Sequence, residues 1–192
     1  MQSLCVFCGA SPGHDPVYRE AAQAFGQTLA ERQTELVWGG GHVGLMGVVA
    51  DAVHARGGKS YGVIPEFMAE RELAHPSATE LLVVDSMHAR KAAMARRAHG
   101  FVALPGGLGT MDELFEILTW AQLHIHHKPV GLLNVKGFFD PLLGFMQHMV
   151  ETGFVKQLHL DQIHVAENPA ELLAAMQLHR PAEGDWLSKL NV

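Results

Sequence analysis

The sequence predicts an α/β protein, a single Rossmann-like domain with a central parallel β-sheet flanked by helices. Short β-branched or apolar runs alternate with longer segments of helical period, which is the pattern of βαβ units. Glycine-rich loops follow several of the apolar runs, where strands of such a sheet turn into helices. The chain has 192 residues, enough for one substantial core and too few for two ordinary domains.

The elements follow in order. An apolar run at residues 4–8 is the first strand, and residues 16–31 form the first helix, with Asp15 as its cap and Pro16 at its first position. A strand at 35–38 leads to a helix at about 43–56, which Gly57-Gly58 ends. Strands at 60–64 and 81–84 precede a helix at about 86–99, and a strand at 101–104 precedes a helix at about 110–123. A strand at 130–134, a helix at about 141–152 and a strand at 163–165 come next. Asn168 before Pro169 then opens a last helix to about residue 178. Residues 1–178 are expected to form the one Rossmann-like domain, and residues 179–192 a peripheral C-terminal tail.

Composition narrows the ligand. Hydrophobic residues make up 48% of the chain and charged residues 18%, a balance that supports a packed core. The formal net charge is −6 and the 14 lysines and arginines are scattered, so no basic stripe is present to neutralise a nucleic-acid polymer. No run of 18 or more apolar residues occurs, and Met1 to Cys5 lack the charged segment of a signal peptide; a cytoplasmic protein with no membrane partner is expected. Cys5 and Cys8 have the Cys-x-x-Cys spacing of redox pairs, but they fall in and at the end of a strand. Their odd spacing there points the thiols to opposite faces, as buried structural groups.

Parallel sheets place ligands outside the carboxyl ends of their strands. Three glycine loops fall at that end: Gly9-Ala10-Ser11-Pro12-Gly13, Gly39-Gly40-Gly41-His42-Val43-Gly44 and Pro105-Gly106-Gly107-Leu108-Gly109-Thr110. Such loops let backbone N–H groups converge on an anion beside the positive end of a helix, so a phosphate-bearing ligand is the natural guest. The Gly-Lys-Ser/Thr of a Walker A loop is missing, and the second loop's Gly-x-Gly-x-x-Gly spacing alone does not establish a dinucleotide site. The structural alternative is that the glycines only turn strand into helix.

Charged residues gather near the third loop. Asp112 and Glu113 are expected in the first turn of the following helix, where carboxylates also complement the helix dipole. Leu114, Ile117, Leu118 and Ala121 form that helix's apolar stripe; Glu113 borders it and faces the cleft, with Asp112 turned further round. Arg90 offers a bidentate fork for a phosphate or carboxylate, and Lys91 a point charge, or simply a solvated surface lysine.

At these residues the chain resembles the LOG (Lonely Guy) family of cytokinin riboside 5′-monophosphate phosphoribohydrolases, long taken for lysine decarboxylases. The family motif Pro-Gly-Gly-x-Gly-Thr-x-x-Glu stands here at Pro105 to Glu113. The likeness extends to residues 6–11, 39–47, 87–91, 119–123 and 128–134, and runs over about the first 178 residues. The family's first loop often reads Gly-Ser-Ser, where this chain has Gly9-Ala10-Ser11 and one hydroxyl fewer. The resemblance implies a homodimer with no cofactor and no metal, acting on a small-molecule nucleoside monophosphate. It assigns Arg90 and Glu113 as the catalytic pair. Glu72, Lys91, Gly107, Leu108, Gly109, Thr110 and Thr119 become substrate contacts, and Gly106, Met111 and Asp112 of the motif and Gly9, Ser11, Gly40 and Gly41 of the other loops are further candidates.

Cleavage of an N-glycosidic bond builds positive charge on the ribose, which a carboxylate near the anomeric carbon offsets. Glu113 is expected in that role, orienting or deprotonating water, with Arg90 positioning the substrate or polarising the departing base. Four alternatives compete: a plain AMP nucleosidase unconnected with cytokinins, a nucleotide carrier without chemistry, a pyridoxal-dependent lysine decarboxylase, and a metal site at His124-Ile125-His126-His127. The decarboxylase needs a Schiff-base lysine, and Lys59, Lys91 and Lys128 read as surface charge. The histidine run lacks a partner at ligand spacing.

Overall fold

A computed structural model describes residues 1–71 and 73–181. Seven parallel strands, β1 (Ser3–Phe7), β2 (Glu35–Trp38), β3 (Ser60–Pro65), β4 (Glu80–Val84), β5 (Phe101–Ala103), β6 (Val130–Leu133) and β7 (Ile163–Ala166), form one sheet in the order β4-β3-β2-β1-β5-β6-β7. The helices are α1 (Pro16–Glu31), α2 (Gly44–Ala55), α3 (Glu66–Ala69), α4 (Met87–Arg97), α5 (Leu108–Gln122), α6 (Asp140–Glu151), α7 (Gln157–Leu160) and α8 (Pro169–Gln177). Among the described residues no helix is long and apolar enough to cross a membrane.

The central strands are apolar without interruption because both of their faces are covered. In β1 and just beyond it, Leu4, Val6 and Cys8 pack with Phe25, Leu29, Val49 and Leu172 of α1, α2 and α8. Cys5 and Phe7 point the other way, to Met94 of α4 and Leu114 and Ile117 of α5. The two thiols are therefore buried, unpaired and on opposite faces.

Strand order places the site. The chain steps from β1 outward to β4, returns to lay β5 against the other side of β1, and then continues to β7. The order reverses between β1 and β5, so the loops after these two strands flank the crevice where open α/β sheets bind ligands.

The expected caps form: Asp15 accepts from the Val17 N–H at 3.0 Å and Asn168 from the Glu171 N–H at 2.9 Å, with Pro16 and Pro169 opening their helices. The start of α5 differs from expectation. Gly107 is its N-cap and Leu108 its first residue, so Asp112 and Glu113 lie in the second turn and the first turn holds no acid. The dipole effect fades beyond the first turn, so complementing it no longer accounts for these carboxylates. The four-residue helices α3 and α7 and a 3₁₀ turn at Val135–Gly137 lie in segments without helical period and were not foreseen. Residues 182–192, most of the expected tail, lie outside the described residues; α8 itself ends at Gln177.

Candidate active site

The first and third glycine loops form one structure. The Gly9 N–H donates to the Pro105 carbonyl at 3.1 Å, and the Leu45 N–H at the start of α2 donates to the Gly9 carbonyl at 2.9 Å. Gly106 permits this approach, because a Cβ there would collide with the Thr110 hydroxyl and stand 2.8 Å from the Gly9 nitrogen. The N-terminus of α5 has no side-chain cap, and around Gly107 and Gly109 the space is open. Its first N–H groups are thus free to meet an anion.

These loops border a cavity of about 590 Å³, a size suited to a small-molecule ligand. Gly9, Ser11, Gly106, Gly107, Leu108, Gly109, Thr110, Asp112, Glu113 and Arg90 all line it. Thr110 is buried under the loop, whereas Leu108 stands out in solvent.

Arg90 is 6% exposed. Its Nε donates to the Val63 carbonyl at 3.0 Å and its Nη2 to the Gly39 carbonyl at 2.7 Å. One edge of the guanidinium is therefore consumed by the ends of β3 and β2, and the expected bidentate fork toward a ligand is not free on that side. The remaining nitrogen, Nη1, has the Met87 sulfur at 3.9 Å. Gly39 makes room for this arrangement, since a Cβ there would overlap the guanidinium.

Glu113 shares the cavity. Burial raises its carboxyl pKa to about 7, against the opposing pull of the Arg90 guanidinium; Asp112 adds to the rise. Burial likewise depresses the Arg90 pKa while Glu113 opposes it, so the two groups feel one another. The buried Cys8 thiol lines the same space; burial first, and Glu113 second, drive its pKa far up, so it stays protonated and inert.

Several expected contacts lie elsewhere. Gly40 and Gly41 do not line the cavity. Their strand β2 is one position removed from the switch point, Gly40 packs against Leu81 and Ile64, and the Gly41 carbonyl accepts from the Trp38 indole at 3.2 Å. Met111 packs into the core beneath α5. Lys91 points away and binds Asp112 and Glu116, each at 3.1 Å. Thr119 bonds back to the Phe115 carbonyl at 2.7 Å and faces a separate, apolar cavity of about 240 Å³. Glu72 lies outside the described residues. In the histidine run, His126 bonds the Ile117 carbonyl through Nε2 and accepts from the Lys128 N–H at Nδ1, a structural use. Among the described residues no group of three or more His, Cys, Asp or Glu is arranged to hold a metal.

The structure adds residues that sequence reasoning missed. Tyr18, in the first turn of α1, and Phe138 meet edge to face at 5.7 Å on one side of the cavity, and Met46, Met68 and Met87 line it too. Tyr18 carried a signal, as a residue of the first turn after a glycine loop. Phe138 carried none: Asn134 shapes its turn by accepting from the Phe139 N–H at 2.7 Å and donating to Asp140 at 2.8 Å.

A parallel sheet with anion-ready loops at its switch point, and a buried arginine and a glutamate of raised pKa beside them, defines an α/β protein whose cavity suits an anionic small molecule and acid–base chemistry. The family model described as "possible lysine decarboxylase" matches residues 46–176. The chain is 47% identical to the cytokinin riboside 5′-monophosphate phosphoribohydrolase LOG2 of Arabidopsis thaliana over 97% of its own length and 88% of that protein's. It is 48% identical to LOG7 of the same plant, over 97% and 86%, and 50% identical to the probable phosphoribohydrolase LOGL5 of Oryza sativa subsp. japonica, over 95% and 74%. The chain belongs to this LOG family. Among solved structures it is similar to the molybdenum cofactor carrier protein of Chlamydomonas reinhardtii (TM-score 0.70, 23% identity, 91% of this chain and 95% of that one). The molybdenum cofactor binding protein of Rippkaea orientalis is a comparable neighbour (TM-score 0.69, 22% identity, 91% and 94%). These two likenesses show the shared fold.

Proposed function

We propose that the protein hydrolyses the N-glycosidic bond of adenosine 5′-monophosphates, N6-modified ones included, giving free base and ribose 5-phosphate. The observation that carries this reading is the placing of Glu113 and Arg90 in one cavity with the paired loops Gly9–Gly13 and Gly106–Thr110. The uncapped α5 N-terminus and the loop amides hold the 5′-phosphate, which fixes the ribose against Glu113. As the bond from C1′ to the base nitrogen breaks, the carboxylate offsets the positive charge on the sugar. Water adds its oxygen to C1′ and passes one proton to Glu113, and the departing base nitrogen gains the proton that Glu113 then releases, which restores the carboxylate. A carboxyl group with a pKa of about 7 suits proton transfer near neutrality. Arg90, held by two carbonyls, adds a fixed positive charge beside the substrate.

Lysine decarboxylation fits the cavity poorly. Pyridoxal phosphate needs a lysine for its Schiff base, no lysine among the described residues lines the cavity, and Lys91 is engaged by two carboxylates. Incubation with a panel of nucleotides and assay for free base tests the proposal; binding without turnover would turn the reading toward a carrier.

The protein acts as a homodimer in the cytoplasm on this reading. Support for association comes from the edge strand β4, where Leu81, Leu82 and Val83 are exposed, and from exposed Met87 and Leu108 on α4 and α5. Unpaired, buried Cys5 and Cys8 suit a reducing compartment.

A further inference from the structure

We propose that Lys91 is a positioning residue that acts through the two carboxylates flanking Glu113 on α5, and not through contact with substrate. Arg90 and Lys91 are successive residues of α4, and Asp112 and Glu113 are successive residues of α5. Lys91 links the two helices through ion pairs to Asp112 and Glu116. Arg90, Glu113 and Asp112 line the cavity, while Lys91 and Glu116 do not, and Lys91 bridges Asp112 Oδ2 and Glu116 Oε1 at 3.1 Å each from behind its wall. Asp112 and Glu116 are four apart on one helix, where like charges repel unless a cation lies between them.

The lysine side chain is only 13% exposed. The second oxygen of Glu116 is buried without a hydrogen-bond partner, so the charge of that carboxylate rests on Lys91. Burial opposes the charge on Lys91, but Glu116 and Asp112 outweigh it and hold the ammonium firmly protonated.

The groups that bear on Glu113 come from three elements. Arg90 and Lys91 of α4 favour its ionised form, Asp112 and Glu116 of α5 oppose it, and the Cys5 and Cys8 thiols on and just after β1 are neutral. Removal of Lys91 would leave two uncompensated negative charges beside Glu113, making its proton harder to lose. Removal of the Glu116 charge would do the reverse. A lysine whose task is to bind the phosphate predicts chiefly a raised KM, with a rate limb that does not follow the Glu116 charge.

The inference rests on Glu113 as the reacting carboxylate, so its test has one arm that needs no turnover. The Glu113 carboxyl is titrated by carbon-13 NMR in the whole protein as wild type, Lys91→Met, Lys91→Arg and Glu116→Gln, alongside the pH dependence of kcat/KM for AMP. Lys91→Met should move the Glu113 titration and the ascending limb of the rate profile to higher pH by roughly half a unit or more. Glu116→Gln should move both to lower pH, and Lys91→Arg should keep them near wild type. An unmoved titration in both charge-removing variants, or shifts of the same sign, would overturn the assignment alone. Opposite titration shifts with an unmoved rate limb would overturn the catalytic reading of Glu113, and this assignment with it.

Discussion

Glu113→Gln should stabilise the protein in alkaline solution while removing its activity. In the unfolded chain a glutamate titrates near 4.5, whereas burial holds Glu113 at about 7 against the pull of Arg90. The folded state thus keeps a proton that the unfolded state has released. Stability falls as pH rises through the window between these values, and the loss is complete above about pH 7. Each pH unit of that window is worth about 1.4 kcal/mol, so the ionised carboxylate costs the native state about 3 kcal/mol at pH 8. Glutamine has nearly the same shape and never ionises. For a chain of this length the variant should melt roughly 6–12 °C above wild type at pH 8 and about level with it at pH 4. Paired thermal melts at the two pH values isolate the effect, because every other titrating group is common to both proteins. Equal melting temperatures at pH 8, or an advantage that is the same at both pH values, would refute the account of Glu113 as a carboxylate stranded by burial.

Arg90→Ala should cost about 2–5 kcal/mol, about 1–3 for each buried acceptor left unpaired, because the Val63 and Gly39 carbonyls lose their donors. Chemical denaturation measures this, and wild-type stability would reduce the arginine to a ligand contact. Sedimentation at micromolar concentration should report a dimer, and Leu82→Lys on the exposed β4 edge should shift it toward monomer; a monomeric wild-type chain would contradict the proposed assembly.

The strands and long helices were legible because period and caps agree with burial. The expected bounds of the first helix, residues 16–31, match α1, since Asp15 and Pro16 mark its start without ambiguity. The α5 start was misplaced by two residues because Thr110 has the chemistry of a cap, yet here it is buried beneath Gly106 and Gly107 takes the position. Three glycine loops look equivalent in the sequence, and only strand order separates them. The loops after β1 and β5 border the cavity, while Gly39 of the β2 loop serves as the seat of Arg90. Glu113 stands in the family motif and Arg90 in the similar segment 87–91, and the fold brings both to one cavity. The direction of Lys91 was not legible, because its partners Asp112 and Glu116 lie on another helix. Phe138 reaches the cavity only through the turn that Asn134 folds, a tertiary outcome with no local pattern.

On the proposed reading the paired loops hold a 5′-phosphate and thereby fix the ribose against Glu113. Remote binding of this kind lowers the barrier as well as the dissociation constant, so a substrate without the phosphate loses rate and affinity together. The most direct test compares kcat/KM for base release from AMP, or an N6-substituted AMP, with that of the matching nucleoside. Free base and ribose 5-phosphate are expected from the nucleotide, with the nucleoside at least about 100-fold poorer. Similar efficiency on adenosine and AMP would contradict this reading and leave the loops as turns between strand and helix.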